Sequence, residues 1–191
     1  MCNMKIGISG SRGSFSEQAA QHWIEKNGLK QCEIEYLVTF EPLFEALDLD
    51  VVEVGICPVF NSTMGLVKPA MQALARHHSE IEDFFDIDIA MCLLAQAGVT
   101  KESIDTIVSQ QPALDQCPAY IAREFPHARI IATEDTAKSA ADVASGIYGP
   151  HAAAIAPKTC AELYKLNLLE EGINDLKRNY TSFLAIRKHR V

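Results

Sequence analysis

No two of the six cysteines (Cys2, Cys32, Cys57, Cys92, Cys117 and Cys160) stand at CxxC spacing, and no Cys/His cluster has the spacing of a zinc site. No apolar run approaches the roughly 20 residues that a membrane-spanning helix requires. The first residues, Met1-Cys2-Asn3-Met4-Lys5, carry no apolar signal region. Clustered Lys and Arg are missing too: the net charge is −8 and the pI about 5.2, which excludes a broad phosphate-neutralising surface for nucleic acid. There is no GxGxxG, no P-loop, no Ser/His/Asp arrangement, no repeat and no Pro/Gly/Ser-rich linker. Scattered cysteines in apolar runs such as Gly55-Ile56-Cys57-Pro58 read as small core hydrophobes in a reducing compartment, and the expected location is the cytoplasm.

What is present is an alternation of strand and helix patterns. Lys5 to Ser9 reads as a strand, followed by the loop Gly10-Ser11-Arg12-Gly13 and a helix with Ser14 and Glu17 at capping-box spacing. Glu33 to Val38 and Val51 to Val59 read as strands, and Pro42 to Leu47 and Val67 to Arg76 as helices. Ile81 to Ala95 sets Phe85, Ile87, Ile89 and Met91 against acidic or small residues, the period of one long strand able to cross between lobes. Beyond it the expected strands are Ile104 to Ser109, Arg129 to Thr133 and Ala152 to Ala156. The expected helices are Ala113 to Phe125, Thr136 to Gly146 and Pro157 to Tyr164, and Thr181 to Arg187 closes the pattern as a strand. Such alternation predicts mostly parallel sheets with helices on both faces. Two lobes sharing crossovers are expected, residues 1–78 plus 174–191 and residues 79–173.

In sheets of this kind the ligand sits outside the carboxyl ends of the strands, which singles out four loops. Gly10 to Glu17 offers helix-start N–H groups, hydroxyls at Ser14 and Ser16, and the guanidinium of Arg12, all able to meet an oxyanion. Pro58-Val59-Phe60-Asn61-Ser62-Thr63-Met64-Gly65 places an amide and hydroxyls after an apolar strand. Ser109 to Cys117 opens a helix and carries Gln116, and Asn179-Tyr180-Thr181-Ser182-Phe183 brings hydroxyls to the last strand. Each also fits a plain structural role: a capped helix, an Asx turn, a Ser-capped helix with Pro in its first turn, a threonine in a strand. His77 and His78, beside Arg76, read as a cationic group at a helix C-terminus.

Taken together and in order, these segments resemble the prephenate dehydratase family. Its Phe-Ser-Glu helix opening, Pro-Ile-Glu-Asn-Ser, Ser-His-Pro-Gln-Ala-Leu-x-Gln-Cys, Ala-Ala-Ile-Ala and Asn-x-Thr-Arg-Phe stretches are matched at 10–17, 58–62, 109–117, 153–156 and 179–183. The resemblance implies a two-lobed α/β fold of the periplasmic-binding-protein type with an interlobe cleft. It implies decarboxylation of prephenate with loss of the ring hydroxyl, giving phenylpyruvate on the route to phenylalanine, with no cofactor and no metal. Thr181 is then the proton donor, and Asn61, Ser62, Ser109 and Gln116 orient a small dicarboxylate, with Ser14 and Arg12 assisting. A homodimer or higher homo-oligomer is expected, with apolar surface around residues 67–76 a contact candidate. The family's ACT regulatory module has no counterpart in the residues given, so feedback by phenylalanine through it is not expected.

Three departures from the pattern matter: Phe60 stands for Glu, Ser182 for Arg and Gln110 for His. A charge-assisted contact of the kind an Arg makes is worth about 1.5–3 kcal/mol. Two other readings therefore stay open, a decarboxylase with a non-aromatic product and a non-catalytic ligand-binding protein.

Overall fold

The βα alternation builds two sheets in the computed structural model, which describes residues 4–189. In chain order the elements are β1 (Met4–Ile8), α1 (Phe15–Lys26), β2 (Cys32–Tyr36), α2 (Phe40–Asp48), β3 (Val54–Asn61), β4 (Gly65–Leu66), α3 (Lys68–Arg76), β5 (Ser79–Asp88) and β6 (Cys92–Ala95). A 3-10 turn at Lys101–Ser103 precedes β7 (Thr106–Gln110), α4 (Gln111–Leu114), α5 (Pro118–Glu124), β8 (Arg129–Thr133), α6 (Thr136–Ala144), β9 (Ala152–Ala156), α7 (Thr159–Tyr164), β10 (Asn167–Glu171) and β11 (Tyr180–Lys188). The chain divides into one unit up to Asp88 and again from Tyr180, and a second unit, Ile89–Asn179. Cys2, Arg190 and Val191 lie outside the described residues.

In the first unit the sheet order is β2-β1-β3-β11-β5, with β4 on β3. α1 presents Ser16, Ala19, Ala20 and Trp23, one helical stripe, to a core that includes Ile6, Ile8, Val54, Ile56, Phe85, Phe183 and Ala185. The opposite face carries Cys57, Val59, Leu184 and Ile186 against Leu43, Phe44 and Leu47 of α2 and Ala70 and Ala73 of α3. That packing is tight: a Cβ on Gly55 would lie 2.9 Å from a Leu47 methyl. The second unit orders its strands β10-β6-β9-β7-β8. β9 is wholly buried because Ala-Ala-Ala-Ile-Ala lets α6 approach through Ala137, Ala140 and Val143.

The sheets are mixed rather than mostly parallel. Among the described residues five of the nine strand pairings are antiparallel, because β11 enters between β3 and β5 against both, β4 runs against β3, and β6 and β10 run against β9 and β6. The expected long strand from Ile81 to Ala95 ends at Asp88 and restarts at Cys92, its two halves in different sheets. The expected lobe boundaries at 78/79 and 173/174 move accordingly to 88/89 and 179/180. β5 pairs with β11 from Ser79↔Lys188 to Asp88↔Tyr180 and so belongs with the first sheet. The expected helix from Ala113 to Phe125 is broken, since Pro118 has no N–H and its ring clashes with the carbonyl four residues back. β10 has no counterpart among the expected strands, because Asn-Leu-Leu-Glu-Glu lacks a period-2 pattern. Among the described residues no helix is long and apolar enough to cross a membrane.

His77 does close α3, but its ring is held by acids. Nδ1 lies 2.6 Å from Asp48 and Nε2 3.1 Å from Glu41, with Phe44 against the ring. Burial alone lowers its pKa; the bonds and charges of Asp48 and Glu41 outweigh that and raise it. A raised folded pKa means the stabilisation is complete below the unfolded value of about 6.5 and is lost as pH climbs through the folded one. Urea denaturation of the parent and His77→Gln should therefore show a larger gap at about pH 6 than at about pH 9. Truncating Trp23, 2% exposed in the α1 core, should cost about 3–5 kcal/mol as Trp23→Ala in the same assay. Leu176→Ala, at an exposed position, should stay within about 0.5 kcal/mol.

Candidate active site

The site begins with a fault in the β3–β11 ladder. Cys57 pairs with Leu184 and Pro58 with Phe183, then the register jumps to Phe60↔Ser182 and Asn61↔Thr181, leaving Val59 as an extra residue. Below the bulge, Cys57, Val59, Leu184 and Ile186 face α2 and α3, while Phe183 and Ala185 face α1. Thr181, two residues from Phe183, takes the α1 face. By strict alternation Asn61 would follow Cys57 and Val59 to the other side. The bulge turns it onto the face of Thr181, where Asn61 Nδ2 donates to Thr181 Oγ1 at 2.9 Å.

Asn61 is bonded on both ends of its amide. Oδ1 accepts from the N–H groups of Thr63 and Met64, each at 2.9 Å, which fixes which end is nitrogen. Nδ2 donates to the Tyr180 carbonyl at 3.1 Å as well as to Thr181. The Asn61 amide thus holds Thr181 Oγ1 in place. Since Thr181 Oγ1 accepts from Asn61, the threonine's own hydrogen is left to be given away. Ser62 closes the same corner, its N–H donating to the Tyr180 carbonyl at 2.9 Å and its Oγ accepting from Tyr180 N–H at 3.0 Å. Thr181, 8% exposed, is thus held in a nearly dry place.

The loop after β1 is also tied up. Ser14 Oγ caps α1 by accepting from Glu17 N–H at 3.3 Å, and Glu17 reaches back to Gly13 N–H at 2.5 Å. Ser16 Oγ donates to the Ser9 carbonyl at 2.9 Å. A Cβ on Gly10 would stand 2.6 Å from Ser14 Oγ, so only glycine lets the loop pass. The Ser14 and Ser16 hydroxyls serve the loop, and Arg12 is exposed on it.

In the second unit, Ser109 is fully buried and donates to the Ile155 carbonyl at 2.6 Å, tying the end of β7 to β9. Gln116 lies in the corner between α4 and α5, neither inside a helix nor exposed. Its Nε2 donates to the Pro112 carbonyl at 2.9 Å and its Oε1 accepts from Asn179 Nδ2 at 2.6 Å. Asn179 is a residue that sequence reasoning misses; its one signal there is its place in the Asn-x-Thr stretch.

A family model for prephenate dehydratase matches residues 6–191. The chain belongs to the prephenate dehydratase family. An Arabidopsis thaliana chloroplastic protein described as arogenate dehydratase/prephenate dehydratase 1 is 33% identical over 97% of this chain and 45% of its own length. The chain thus spans less than half the length of the curated relatives it matches. The fold of prephenate dehydratase from Arthrobacter aurescens, solved with L-Phe, matches with a TM-score of 0.88 at 23% identity, over 98% of this chain and 61% of that one. A periplasmic substrate-binding protein of an ABC transporter from Coxiella burnetii shares the fold more distantly, with a TM-score of 0.51 at 13% identity over 97% and 84%. The expected periplasmic-binding-protein-like α/β fold is therefore borne out.

The departures from the family pattern now have places. Phe60 and Ser182 are cross-strand partners on the face opposite Thr181, with Leu66 of β4 beside Phe60 and its ring 6.4 Å from that of Tyr180. Two substitutions that look independent in sequence are one juxtaposition in space. Gln110 is the residue before α4, at its N-cap.

Ser109→Ala should leave the Ile155 carbonyl without its partner and cost about 1–3 kcal/mol in urea denaturation. If Ser109 instead met the ligand directly, the same change would weaken ligand binding without moving stability.

Proposed function

We propose that this chain is a dehydratase of prephenate or arogenate, with Thr181 as the proton donor. The observation that carries this is the bond from Asn61 Nδ2 to Thr181 Oγ1, which leaves the hydroxyl hydrogen of a nearly buried threonine for donation. In the reaction, the electrons of the bond to the ring carboxylate move into the ring as CO2 departs, and the C–O bond to the ring hydroxyl breaks. The departing oxygen takes the Thr181 proton and leaves as water; Asn61 N–H stabilises the threonine oxygen until solvent returns a proton. Aromatisation drives the step, so the protein need only fix the carboxylates, exclude water and present the acid.

Ser62 and Gln116 are the proposed substrate contacts, and Arg12, exposed on the loop after β1, the proposed cation for a carboxylate. The face assignment supports this reading against the alternatives: the Arg-to-Ser departure at 182 lies off the face that presents Thr181, so it does not remove a neighbour of the donor on that face. The arogenate option rests on the names of the plant relatives, which act on one or both compounds by their descriptions. Self-association is proposed through exposed Leu66, just before α3, and exposed Met71 on it. A reducing, cytoplasmic setting is proposed from the free thiols of Cys32, Cys57, Cys92, Cys117 and Cys160; burial pushes those of Cys57 and Cys117 up to about 12, far from reactive.

The test is phenylpyruvate formation from prephenate, and phenylalanine formation from arogenate. Thr181→Ala should lose about 10²–10⁴-fold in kcat, Thr181→Ser should retain measurable turnover, and Asn61→Ala should lose about 10–100-fold. A folded parent that turns over neither compound, or a Thr181→Ala enzyme as fast as the parent, would sink the proposal.

A further inference from the structure

Gln116 and Asn179 form a chain of amides whose direction is set at both ends. Asn179 Nδ2 donates to the Ile89 carbonyl at 3.2 Å, and a carbonyl only accepts, so that end of Asn179 is its nitrogen. The same nitrogen lies 2.6 Å from Gln116, which must therefore offer its oxygen. At the far end Gln116 meets the Pro112 carbonyl at 2.9 Å and must offer its nitrogen. Both carbonyls enforce the same assignment, Ile89 O to Asn179 to Gln116 to Pro112 O.

The backbone fixes this chain in place. Ile89 N–H donates to the Asn179 carbonyl at 2.9 Å, reciprocating the side-chain bond, and Asp175 N–H donates to the Gln116 carbonyl at 3.0 Å. Asp175 further holds α5 by accepting from the N–H groups of Ala119 and Tyr120 at 2.7 and 2.9 Å. Asn179 is 5% and Gln116 8% exposed, so turning either amide over would set oxygen against oxygen in a buried place.

We propose that Asn179 is a positioning residue that locks the Gln116 amide, engaging its oxygen and leaving the second Nε2–H as a donor for a carboxylate oxygen of the substrate. The inference rests on Gln116 being a substrate contact of the proposed dehydratase. It assigns Asn179 no contact with substrate; its effect passes through Gln116.

Four proteins test it: the parent, Asn179→Ala, Gln116→Ala and the double variant, each assayed for KM and kcat with prephenate. Asn179→Ser is added because its hydroxyl keeps a donor near the Ile89 carbonyl but falls short of Gln116. Asn179→Ala, Asn179→Ser and Gln116→Ala should each raise KM about tenfold with kcat nearly unchanged. The double variant should be no worse than Gln116→Ala alone. In 15N–1H spectra the side-chain amide pair of Gln116, identified by its loss in Gln116→Ala, should shift in both Asn179 variants. Multiplying KM effects in the double variant, or an unmoved Gln116 amide, would overturn the proposal. A parent that turns over neither prephenate nor arogenate would defeat the dehydratase reading by itself. The Gln116 amide signal would still decide whether Asn179 locks it.

Discussion

The first unit depends on one strand, β11, inserted antiparallel between β3 and β5. Its odd and even residues serve different purposes on the two sides of the sheet. Phe183 and Ala185 complete the core under α1, and Leu184 and Ile186 complete the one under α2 and α3. A one-residue slip would empty both cores at once, so the register is fixed by burial along the length of the strand. Thr181 inherits its position from that register. Its partner Asn61 cannot, because the alternation of β3 points it to the wrong side. The extra residue at Val59 resolves the conflict locally, turning Phe60 and Asn61 over without disturbing Cys57↔Leu184 below. A bulge is thus a device for aiming one side chain, here Asn61 onto Thr181.

Most elements are legible in the sequence because they obey period and burial. β8 and β9 occupy the expected residues, and α3 and β11 fall within about a residue of expectation. The illegible part is long-range. Asn61 and Thr181 are 120 residues apart, and nothing local to either specifies that one will donate to the other. The pairing of β5 with β11, which moves both lobe boundaries, is of the same kind. Pro118 is visible in the sequence, yet a helical pattern runs on both sides of it; the clash with Leu114, four residues back, breaks the helix, and the break gives Gln116 a corner to occupy. The motif positions mark which residues matter, but not their tasks. Asn61 orients a neighbouring side chain, Ser14 caps a helix, and Ser109 ties two strands together.

These tasks share a physical logic. A buried amide without a partner costs about 1–3 kcal/mol, so the amides of Asn61, Gln116 and Asn179 are each stable in one orientation. Asn61 has its oxygen set by two backbone N–H groups and its nitrogen by a carbonyl; Asn179 and Gln116 are set by carbonyls at both ends. Backbone groups cannot change role, so they dictate the orientation of the amides, and the amides dictate what the reactive groups can donate. Rigidity of this sort comes from satisfied hydrogen bonds rather than from charge: no buried carboxylate is needed to align these amides.

The same geometry changes how the departures at Phe60 and Ser182 should be weighed. Adjacent letters in a motif, such as Thr181-Ser182, point to opposite faces of a strand and so face different chemistry. Distant letters, such as Phe60 and Ser182, can face each other directly. In the family pattern these two positions carry Glu and Arg, opposite charges at what is here a cross-strand pair; in this chain they carry an aromatic ring and a small hydroxyl. Had only one changed, the remaining charge would sit on a half-buried sheet face without its opposite, at a cost of about 3–5 kcal/mol if dehydrated. Changing both removes the charge altogether and sets the Phe60 ring 6.4 Å from that of Tyr180. The two departures therefore fall on one cross-strand pair, on the face of the sheet opposite Thr181.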